Sequence, residues 1–232
     1  VNETYFFREY PQLEAFANEA LPRVAESKRR RGDYDLNLWC AACSTGEEAY
    51  TLAIIIHACL DDIPRWNVRI LATDIDRQAL AAAREGAYGD RSVKNVPDVY
   101  YRKYFRRQNG RHCVCESIKR MVTLRQMNLL DKDTMRRQRG YDFIFCRNVL
   151  IYFDDRSRKR VLASFYDALV PGGFVFLGHS ESVGRISAAF CPVRLGQSIG
   201  YCKPASGTET TREGVQAKTY EETVPCSATC PM

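Results

Sequence analysis

The 232-residue sequence lacks an apolar run long enough to span a bilayer. Its longest uncharged apolar stretch, residues 49–60, falls short of the roughly 20 residues that a transmembrane helix needs. The apolar segment of a secretory signal is also missing, because the N-terminal residues include Glu3, Arg8 and Glu9. These absences exclude membrane insertion and favour a cytoplasmic protein. The first residue is valine and not methionine, as expected for a fragment of a longer chain.

Histidine occurs only three times, and the ten cysteines lack the paired spacing of a zinc site. Cys40 and Cys43 form a C-x-x-C pair, but no second pair follows at zinc-ribbon spacing. The chain is long enough to bury its own core, and several cysteines stand in apolar segments, where a free thiol behaves as a small hydrophobe. We therefore expect no metal site and no disulfide framework, but free thiols in a reducing compartment.

Charge is concentrated in one stretch of the chain. The formal net charge is +6, from 34 Lys and Arg against 28 Asp and Glu. Residues 102–139 hold twelve basic residues against three acidic ones, a local charge of +9. Two interpretations stay open: the stretch steers an acidic partner, either a carboxylate-rich protein surface or nucleic acid, or it is a scattered set of solvated charges.

From residue 36 onward, short apolar runs alternate with amphipathic stretches, which is typical of a parallel sheet covered by helices. The predicted strands are residues 36–42, 68–73, 121–127, 141–146 and 174–178, followed by an antiparallel hairpin of residues 190–195 and 198–202. The predicted helices are residues 47–60, 77–85 and 155–169. Pro171, Gly172 and Gly173 are expected to stop the last helix.

The pattern predicts one domain, residues 1–203, and a tail. The segment between residues 88 and 120 is longer than a plain crossover needs, so we expect a small β insertion at about residues 100–122. Residues 204–232 are rich in Thr, Glu, Ser and Pro and have few large apolar groups. Such a segment cannot bury enough surface to offset its ordering entropy, and we expect it to be disordered.

The loop after the first predicted strand, AACSTGEE at residues 41–48, brings small residues to a strand's carboxyl end, where open α/β sheets bind ligands. With one glycine it matches neither a dinucleotide loop nor a phosphate loop, and Glu47 and Glu48 would repel a pyrophosphate. A cofactor with a cationic centre fits better. The alternative is structural: Ser44 or Thr45 caps the next helix, and the glutamates interact with its dipole.

Polar residues also follow the other predicted strands. Asp74 ends the second strand, where a carboxylate in such sheets accepts hydrogen bonds from ribose hydroxyls. Asp76 has the alternative role of capping the next helix. The residues after the third and fourth strands extend the pattern: Asn128, Leu129, Leu130, Cys146, Arg147 and Asn148. We expect these strand ends to converge on one crevice.

Several stretches make the sequence resemble the CheR family of chemotaxis receptor methyltransferases, which use S-adenosylmethionine. They are NETYFFRE (2–9), AACSTGEEAY (41–50), ATDID (72–76), NLL (128–130), FCRNVLIYFD (145–154) and LGHSES (177–182), in the family's order. The resemblance implies a Rossmann-like class I S-adenosylmethionine-dependent methyltransferase fold. This fold has a mostly parallel seven-stranded sheet, a C-terminal antiparallel hairpin and a small β insertion.

The resemblance also implies the functional residues. Those lining the S-adenosylmethionine pocket would be Asn2, Thr4, Arg8, Glu48, Asp74, Asn128, Leu129, Cys146 and Arg147. The catalytic residues beside the transferred methyl would be Arg8 and Tyr152. A glutamate substrate is already ionised at neutral pH, so the transfer needs alignment and not a general base.

The implied activity is methylation of glutamate side chains on chemoreceptors, giving glutamate methyl esters and S-adenosylhomocysteine. The implied partner is the receptor's cytoplasmic helical bundle. Members that bind a tethered receptor pentapeptide carry a Gly-x-Gly hairpin, whereas residues 105–111 are short and contain only Gly110, so we do not expect this chain to bind the pentapeptide. Family members usually carry a helical domain before the Asn2 motif, and the given sequence begins at that motif.

Two alternatives belong to other functional classes. A sensor or docking module would keep the cofactor pocket without turnover, but the presence of Arg8 and Tyr152 argues against it. A nucleic-acid methyltransferase would have an Asn/Asp-Pro-Pro-aromatic sequence after the fourth strand, where this chain has Arg147-Asn148-Val149-Leu150. We therefore expect no nucleic-acid partner.

Overall fold

A computed structural model describes residues 3–181 and 189–205. The strands of its main sheet are β1 (Asp35–Ala41), β2 (Asn67–Asp74), β6 (Val122–Gln126), β7 (Tyr141–Cys146), β8 (Leu169–Leu177), β9 (Cys191–Leu195) and β10 (Ser198–Cys202). A smaller sheet contains β3 (Ala87–Tyr88), β4 (Phe105–Gln108) and β5 (Arg111–Val114). The main sheet has the order β6-β2-β1-β7-β8-β10-β9, and the small sheet has the order β3-β5-β4.

The strand pairing confirms the predicted fold class. β6, β2, β1, β7 and β8 run parallel to one another, whereas β10 is antiparallel to both β8 and β9. Strands buried on both faces read as continuous apolar runs, which is why β1 and β7 were recognisable in the sequence. Because the parallel strands share one direction, the loops after β1, β2, β6 and β7 meet at one edge of the sheet.

The helices cover both faces of the sheet. They are α1 (Tyr10–Ala15), α2 (Leu21–Arg30), α3 (Glu47–Cys59), α4 (Arg77–Glu85), α5 (Asp90–Val93), α6 (Asp98–Tyr104), α7 (Glu116–Lys119), α8 (Lys132–Arg136) and α9 (Asp155–Ala168). The side chains of Asp76 and Asp154 accept hydrogen bonds from the first-turn amides of α4 and α9. Both act as N-caps, as the sequence indicated for Asp76.

Residues 10–30 form helices that the strand-and-helix alternation did not reveal. A π-helical turn, Phe16–Ala20, joins α1 to α2. The Phe16 ring packs edge-on against Phe143 and Phe145 of β7, with centroid distances of 5.1 Å. This contact fixes the N-terminal segment over the sheet and brings residues 3–9 to the sheet's carboxyl edge.

The last predicted helix ends within one residue of its predicted end, but Pro171, Gly172 and Gly173 do not form the stop that was expected. α9 ends at Ala168 and the chain enters β8 directly, so Pro171 and the two glycines lie inside a strand. The pairing of β7 with β8 shifts register between Tyr141 and Phe143. A Cβ on Gly173 would stand 2.9 Å from the Asp142 carbonyl oxygen, so the glycine permits close approach of the two strands at an irregular pairing.

Two apolar clusters pack on opposite faces of the sheet. Alternation along β7 sends Phe143 and Phe145 to one face and Ile144 and Cys146 to the other. The second face is covered by α9, where Phe165 meets the Trp39 ring edge-on at 5.2 Å. The side chain of Cys146 therefore points into the core and not towards the carboxyl edge.

The small sheet agrees with the expected insertion, since β4 and β5 fall within residues 100–122. The expected disordered tail lies outside the described residues from position 206 onward. The eight cysteines in the described ranges are free thiols. Among the helices described at residues 3–181 and 189–205, none is both long and apolar enough to cross a membrane.

Candidate functional site

A cavity of about 320 Å³ opens at the carboxyl edge of the main sheet. It lies between the N-terminal segment and the loops that follow β1, β2 and β7, which is where ligands bind in open α/β sheets. The predicted site residues in its lining are Thr4, Arg8, Glu48, Asp74, Arg147 and Tyr152. The convergence expected from the sequence is thus present for these side chains.

The other predicted site residues are not in the lining. Cys146 is fully buried on the α9 face, and Leu129 is buried in the same apolar cluster. The side-chain oxygen of Asn128 accepts a hydrogen bond from the Leu130 amide at 2.9 Å and so stabilises the turn after β6. Asn2 lies outside the described residues.

Asp74, the last residue of β2, is held by two backbone amides. Its Oδ2 accepts a hydrogen bond from Ser44 N at 2.7 Å, and its Oδ1 accepts one from Asp76 N at 2.9 Å. An ionised carboxylate has about four acceptor positions, so two stay available for a ligand. The strand end and the loop after β1 are thereby fixed to each other, with an oriented carboxylate on the cavity wall.

Arg147, another residue of the cavity lining, forms a buried charge cluster. Its side chain is 1% exposed and lies 3.3 Å from a carboxylate oxygen of Glu48 and 3.4 Å from one of Glu9. Arg147 Nη2 also donates to the Arg8 carbonyl oxygen at 2.5 Å. Burial raises the pKa of Glu48, while the Arg147 charge opposes that rise. The cluster joins the N-terminal segment, α3 and the loop after β7.

Two buried polar atoms on cavity-lining residues have no hydrogen-bond partner among the described residues. They are Ser44 Oγ and Arg147 Nε. Buried polar atoms are almost always paired, so unpaired ones on a cavity wall are suited to a polar ligand. Cys43 also lines the cavity, but burial raises the pKa of its thiol and keeps it neutral. A cysteine nucleophile is therefore disfavoured at this site.

The backbone around the cavity is strained. Among the described non-glycine residues with positive φ, those that flank the cavity are Phe7, Glu9, Ala42, Ser44 and Asn148. Such conformations cost about 1–3 kcal/mol each and gather at functional sites. The alternative interpretation, in which Ser44 or Thr45 caps the helix, is not observed: α3 begins after Gly46 without a side-chain cap. A Cβ on Gly46 would stand 2.9 Å from the Ala83 Cβ, so this turn requires glycine.

Arg8 and Tyr152 both line the cavity, although they are far apart in the sequence. Arg8 Nη1 donates to the Glu3 carbonyl oxygen, and its guanidinium carbon is 5.9 Å from the centre of the Tyr5 ring. Tyr152 ends a short 3₁₀ turn after β7, and its side chain is 68% exposed. A guanidinium and a phenol are therefore both part of the cavity lining.

Residues 2–197 match the family described as "CheR methyltransferase, SAM binding domain". The chain belongs to the CheR methyltransferase family. It is 41% identical over 208 residues to a chemotaxis protein methyltransferase 2 from Vibrio cholerae serotype O1, covering 89% of this chain and 71% of that protein.

Other CheR relatives are also named chemotaxis protein methyltransferase. The one from Borreliella burgdorferi is 35% identical, covering 78% of this chain and 65% of its own length. The one from Escherichia coli K12 is 37% identical, covering 82% of this chain and 64% of its own length. The chain thus spans about two thirds of these CheR proteins. Its cofactor is S-adenosylmethionine.

The cavity of this CheR chain fits that cofactor chemically. Carboxylates of Glu48 and Asp74 suit its ammonium, sulfonium and ribose groups, and the unpaired Arg147 Nε suits its carboxylate. Ile75 lines the cavity with 62% of its side chain exposed and offers an apolar contact to a base.

Sequence reasoning missed Glu9, Ile75 and Glu181. Glu9 and Glu181 belong to the quoted NETYFFRE and LGHSES stretches, but no local pattern reveals their partners in space.

Proposed function

We propose that this chain transfers the methyl group of S-adenosylmethionine to glutamate side chains of chemoreceptors, leaving methyl esters and releasing S-adenosylhomocysteine. The observation that carries the proposal is the meeting of Asp74, Glu48 and Arg147 in one cavity with Arg8 and Tyr152. The first three suit the cofactor, and the last two suit a carboxylate. Membership of the CheR family supplies the reaction class.

Each cavity wall has a separate part in holding the cofactor. The Asp74 carboxylate, oriented by Ser44 N and Asp76 N, would accept hydrogen bonds from the ribose hydroxyls. Glu48 and Arg147 would face the amino-acid end of the cofactor, where they match its ammonium and carboxylate groups. Asn2 and Thr4 complete the proposed set from the N-terminal segment. The side chains of Asn128, Leu129 and Cys146 are not in the cavity lining. We propose that these residues act on the cofactor through their backbone or support the residues that line the cavity.

The methyl transfer itself needs no general acid or base from the protein. The sulfonium cofactor supplies an electrophilic methyl carbon. A glutamate carboxylate oxygen forms a bond to that carbon while the carbon–sulfur bond breaks and its electron pair stays on sulfur. The carboxylate is ionised at neutral pH, so no proton has to leave. Alignment of the reactants is worth up to about 7–11 kcal/mol in favourable cases.

Arg8 and Tyr152 are proposed to align the substrate carboxylate. A guanidinium holds a carboxylate through two parallel N–H···O bonds, and a phenol hydroxyl donates a further one. Both residues line the cavity, and the exposed Tyr152 suits a substrate side chain that enters from another protein. The Tyr5 ring beneath the Arg8 guanidinium restricts its orientation.

The proposed substrate surface is the cytoplasmic helical bundle of a chemoreceptor, which places the reaction in the cytoplasm. Exposed apolar residues follow the ends of β2, β6 and β7: Ile75, Leu130, Ile151 and Tyr152. They suit a folded protein surface better than a free amino acid.

We propose that the small sheet does not bind a tethered pentapeptide. β4 and β5 are joined by a two-residue turn, Asn109-Gly110, which leaves no Gly-x-Gly loop. The proposal also includes no nucleic-acid partner.

A labelled-methyl assay tests the proposal. The chain is incubated with S-adenosylmethionine labelled in its methyl group and a receptor cytoplasmic fragment, and the protein is then treated with base. We expect label on the receptor that base releases as methanol, because esters hydrolyse whereas N-methyl groups do not. Cofactor binding without label transfer would identify a sensor or docking module instead.

A further inference from the structure

We infer that Glu181 is a positioning residue for methyl transfer, because its carboxylate holds the loop after β7 that carries Arg147 and Tyr152. This inference rests on the proposed function and extends it to a residue outside the cavity. Glu181 belongs to the LGHSES stretch after β8, and it is not part of the cavity lining. It acts through the loop and does not touch the reacting groups.

Four backbone amides donate to the Glu181 carboxylate. Oε1 accepts from Val149 N at 2.8 Å and from Ile151 N at 3.2 Å. Oε2 accepts from Gly178 N at 2.7 Å and from Asn148 N at 3.0 Å. These bonds use about the full acceptor capacity of a carboxylate, and hydrogen bonds to an ionised group are stronger than neutral ones. One side chain therefore ties three amides of the loop to the end of β8.

The loop needs such support. Asn148 has φ of 59°, a left-handed conformation that is unfavourable for a residue with a side chain. Its amide is one of the donors to Glu181, so the carboxylate stabilises the chain at the strained position itself. Asn148 Nδ2 also donates to Glu9 Oε1 at 3.0 Å, which connects the same residue to the N-terminal segment. Arg147 precedes this point and Tyr152 follows it, so their relative placement depends on the loop conformation.

Gly178 provides an independent observation. A Cβ at this position would stand 2.7 Å from Asn148 N and 2.8 Å from Glu181 Oε2. Neither atom can move away cheaply, since one belongs to the backbone and the other belongs to a carboxylate that four amides hold. In the LGHSES stretch, Gly178 thus leaves space for the Asn148 amide and the Glu181 carboxylate, and Glu181 accepts the hydrogen bonds of the loop.

The decisive variant is Glu181→Gln. Glutamine has nearly the same shape, but its amide nitrogen must face two backbone N–H donors in either orientation. Asp142→Asn is the matched control. Asp142 is also a buried carboxylate that accepts a backbone amide, from Asn37 N at 2.9 Å, but it lies at the other end of β7. Both variants lose a hydrogen-bond acceptor, but only Glu181→Gln loses one that is bonded to the loop after β7.

The variants are compared by steady-state kinetics, thermal melting and hydrogen exchange of residues 147–152. For Glu181→Gln we expect kcat at saturating substrates to fall at least about tenfold, with faster exchange at the loop amides. Asp142→Asn should lower the melting temperature while kcat and loop exchange stay near those of the parent. Gly178→Ala should resemble Glu181→Gln, and the double variant should lose no more than the worse single one.

Parental kcat in Glu181→Gln would overturn the inference, and so would an equal loss of kcat in Asp142→Asn, which would mean that general destabilisation is the cause. Unchanged exchange of the loop amides would overturn it as well. The exchange comparison does not depend on turnover, so failure of the parent to methylate a receptor would reject the proposed function alone.

Discussion

Asp74 illustrates how single residues prepare the cavity. Its carboxylate is fixed by the Ser44 and Asp76 amides, so a ligand meets an acceptor whose orientation is already set. Pre-ordered groups lose less entropy on binding and therefore contribute more to affinity. The same logic applies to Arg147, whose partners Glu9 and Glu48 hold it in place.

Asp74→Ala should weaken S-adenosylhomocysteine binding by about 1–3 kcal/mol, because the ribose hydroxyls lose a charged acceptor. Titration calorimetry measures the change. Asp76→Ala is the control, since it removes the N-cap of α4 and lowers stability without removing a cavity carboxylate. Equal affinities for the parent and Asp74→Ala would exclude Asp74 from the cofactor site.

Tyr152→Phe should lower kcat and leave S-adenosylhomocysteine affinity unchanged. The substitution removes one hydroxyl and keeps the exposed ring, so it separates orientation of the carboxylate from packing. Steady-state rates with a receptor fragment, together with calorimetry, make the comparison. A parallel loss of affinity and kcat would assign Tyr152 to the structure of the loop.

Prediction of single site residues from the sequence succeeded where a polar side chain stands at the carboxyl end of a parallel strand. Polar residues at strand ends, such as Asp74 and Arg147, reached the cavity because the carboxyl ends of parallel strands meet at one edge. Cys146 stands at such an end too, but strand alternation turns its side chain into the core. The role of Glu181 depends on contacts between segments about 30 residues apart, which no local pattern encodes.

At the scale of elements, the helices of residues 10–30 are held to the sheet by interactions at both ends. Gln12 Nε2 donates to the Leu177 carbonyl oxygen at 2.7 Å near the carboxyl edge. At the far end of α2, Arg29 makes two hydrogen bonds to Asp62, at 2.6 and 3.2 Å. Trp66 Nε1 donates to the same carboxylate at 2.9 Å. The loop before β2 is thereby joined to α2.

Asp62→Asn should destabilise the fold at neutral pH, and the difference should fade in acid. The Arg29 hydrogen bond lowers the pKa of Asp62 from 3.8 to about 2. A lowered pKa means that the stabilisation is complete above about pH 4 and is lost as the pH falls towards 2. Urea unfolding of the parent and of Asp62→Asn at pH 7, 4 and 3 measures the difference in their free energies of unfolding. A difference that is independent of pH would contradict this assignment.

Prediction of helices and strands from the sequence worked for continuous apolar strands. It failed for the Pro-Gly-Gly run and for the helices on either side of the π-helical turn. Strands β7 and β10 begin and end where the sequence pattern predicted. The Pro-Gly-Gly run was interpreted as a stop, but contacts with Lys203 carry it into β8: Gly172 N donates to the Lys203 carbonyl, and Lys203 N donates to the Gly173 carbonyl. Helices α1 and α2 were missed because their interrupting π-helical turn breaks the periodicity.

At the scale of the whole molecule, the basic stretch of residues 102–139 is spread over several elements. Its first part contains β4 and β5 of the small sheet, its middle contains α7 and β6, and its last part contains α8. The small sheet adjoins the cavity wall, since Phe6 packs edge-on against Tyr88 at 4.9 Å and Phe105 at 5.0 Å. Arg111 of this sheet is paired with Glu85, whereas Arg107 is exposed.

Reversing Arg106 and Arg107 to Glu should slow receptor methylation at low salt and leave S-adenosylhomocysteine affinity unchanged. Steering by charge acts on association, and it fades as the Debye length shrinks from about 10 Å at 0.1 M to about 3 Å at 1 M. Reversal of Arg30 and Arg31, at the end of α2 away from the cavity, changes the charge equally and is the control. Parental rates at low salt in the Arg106/Arg107 variant would show that the stretch is a solvated surface.

The central claim is that one cavity binds S-adenosylmethionine and delivers its methyl group to a glutamate carboxylate. The most direct measurement compares labelled-methyl transfer to a receptor fragment with transfer to the same fragment after its methyl-accepting glutamates are replaced by glutamine. We predict base-labile label on the glutamate fragment, none on the glutamine fragment, and one equivalent of S-adenosylhomocysteine for each methyl transferred. Equal labelling of both fragments, or label that resists base, would contradict the account.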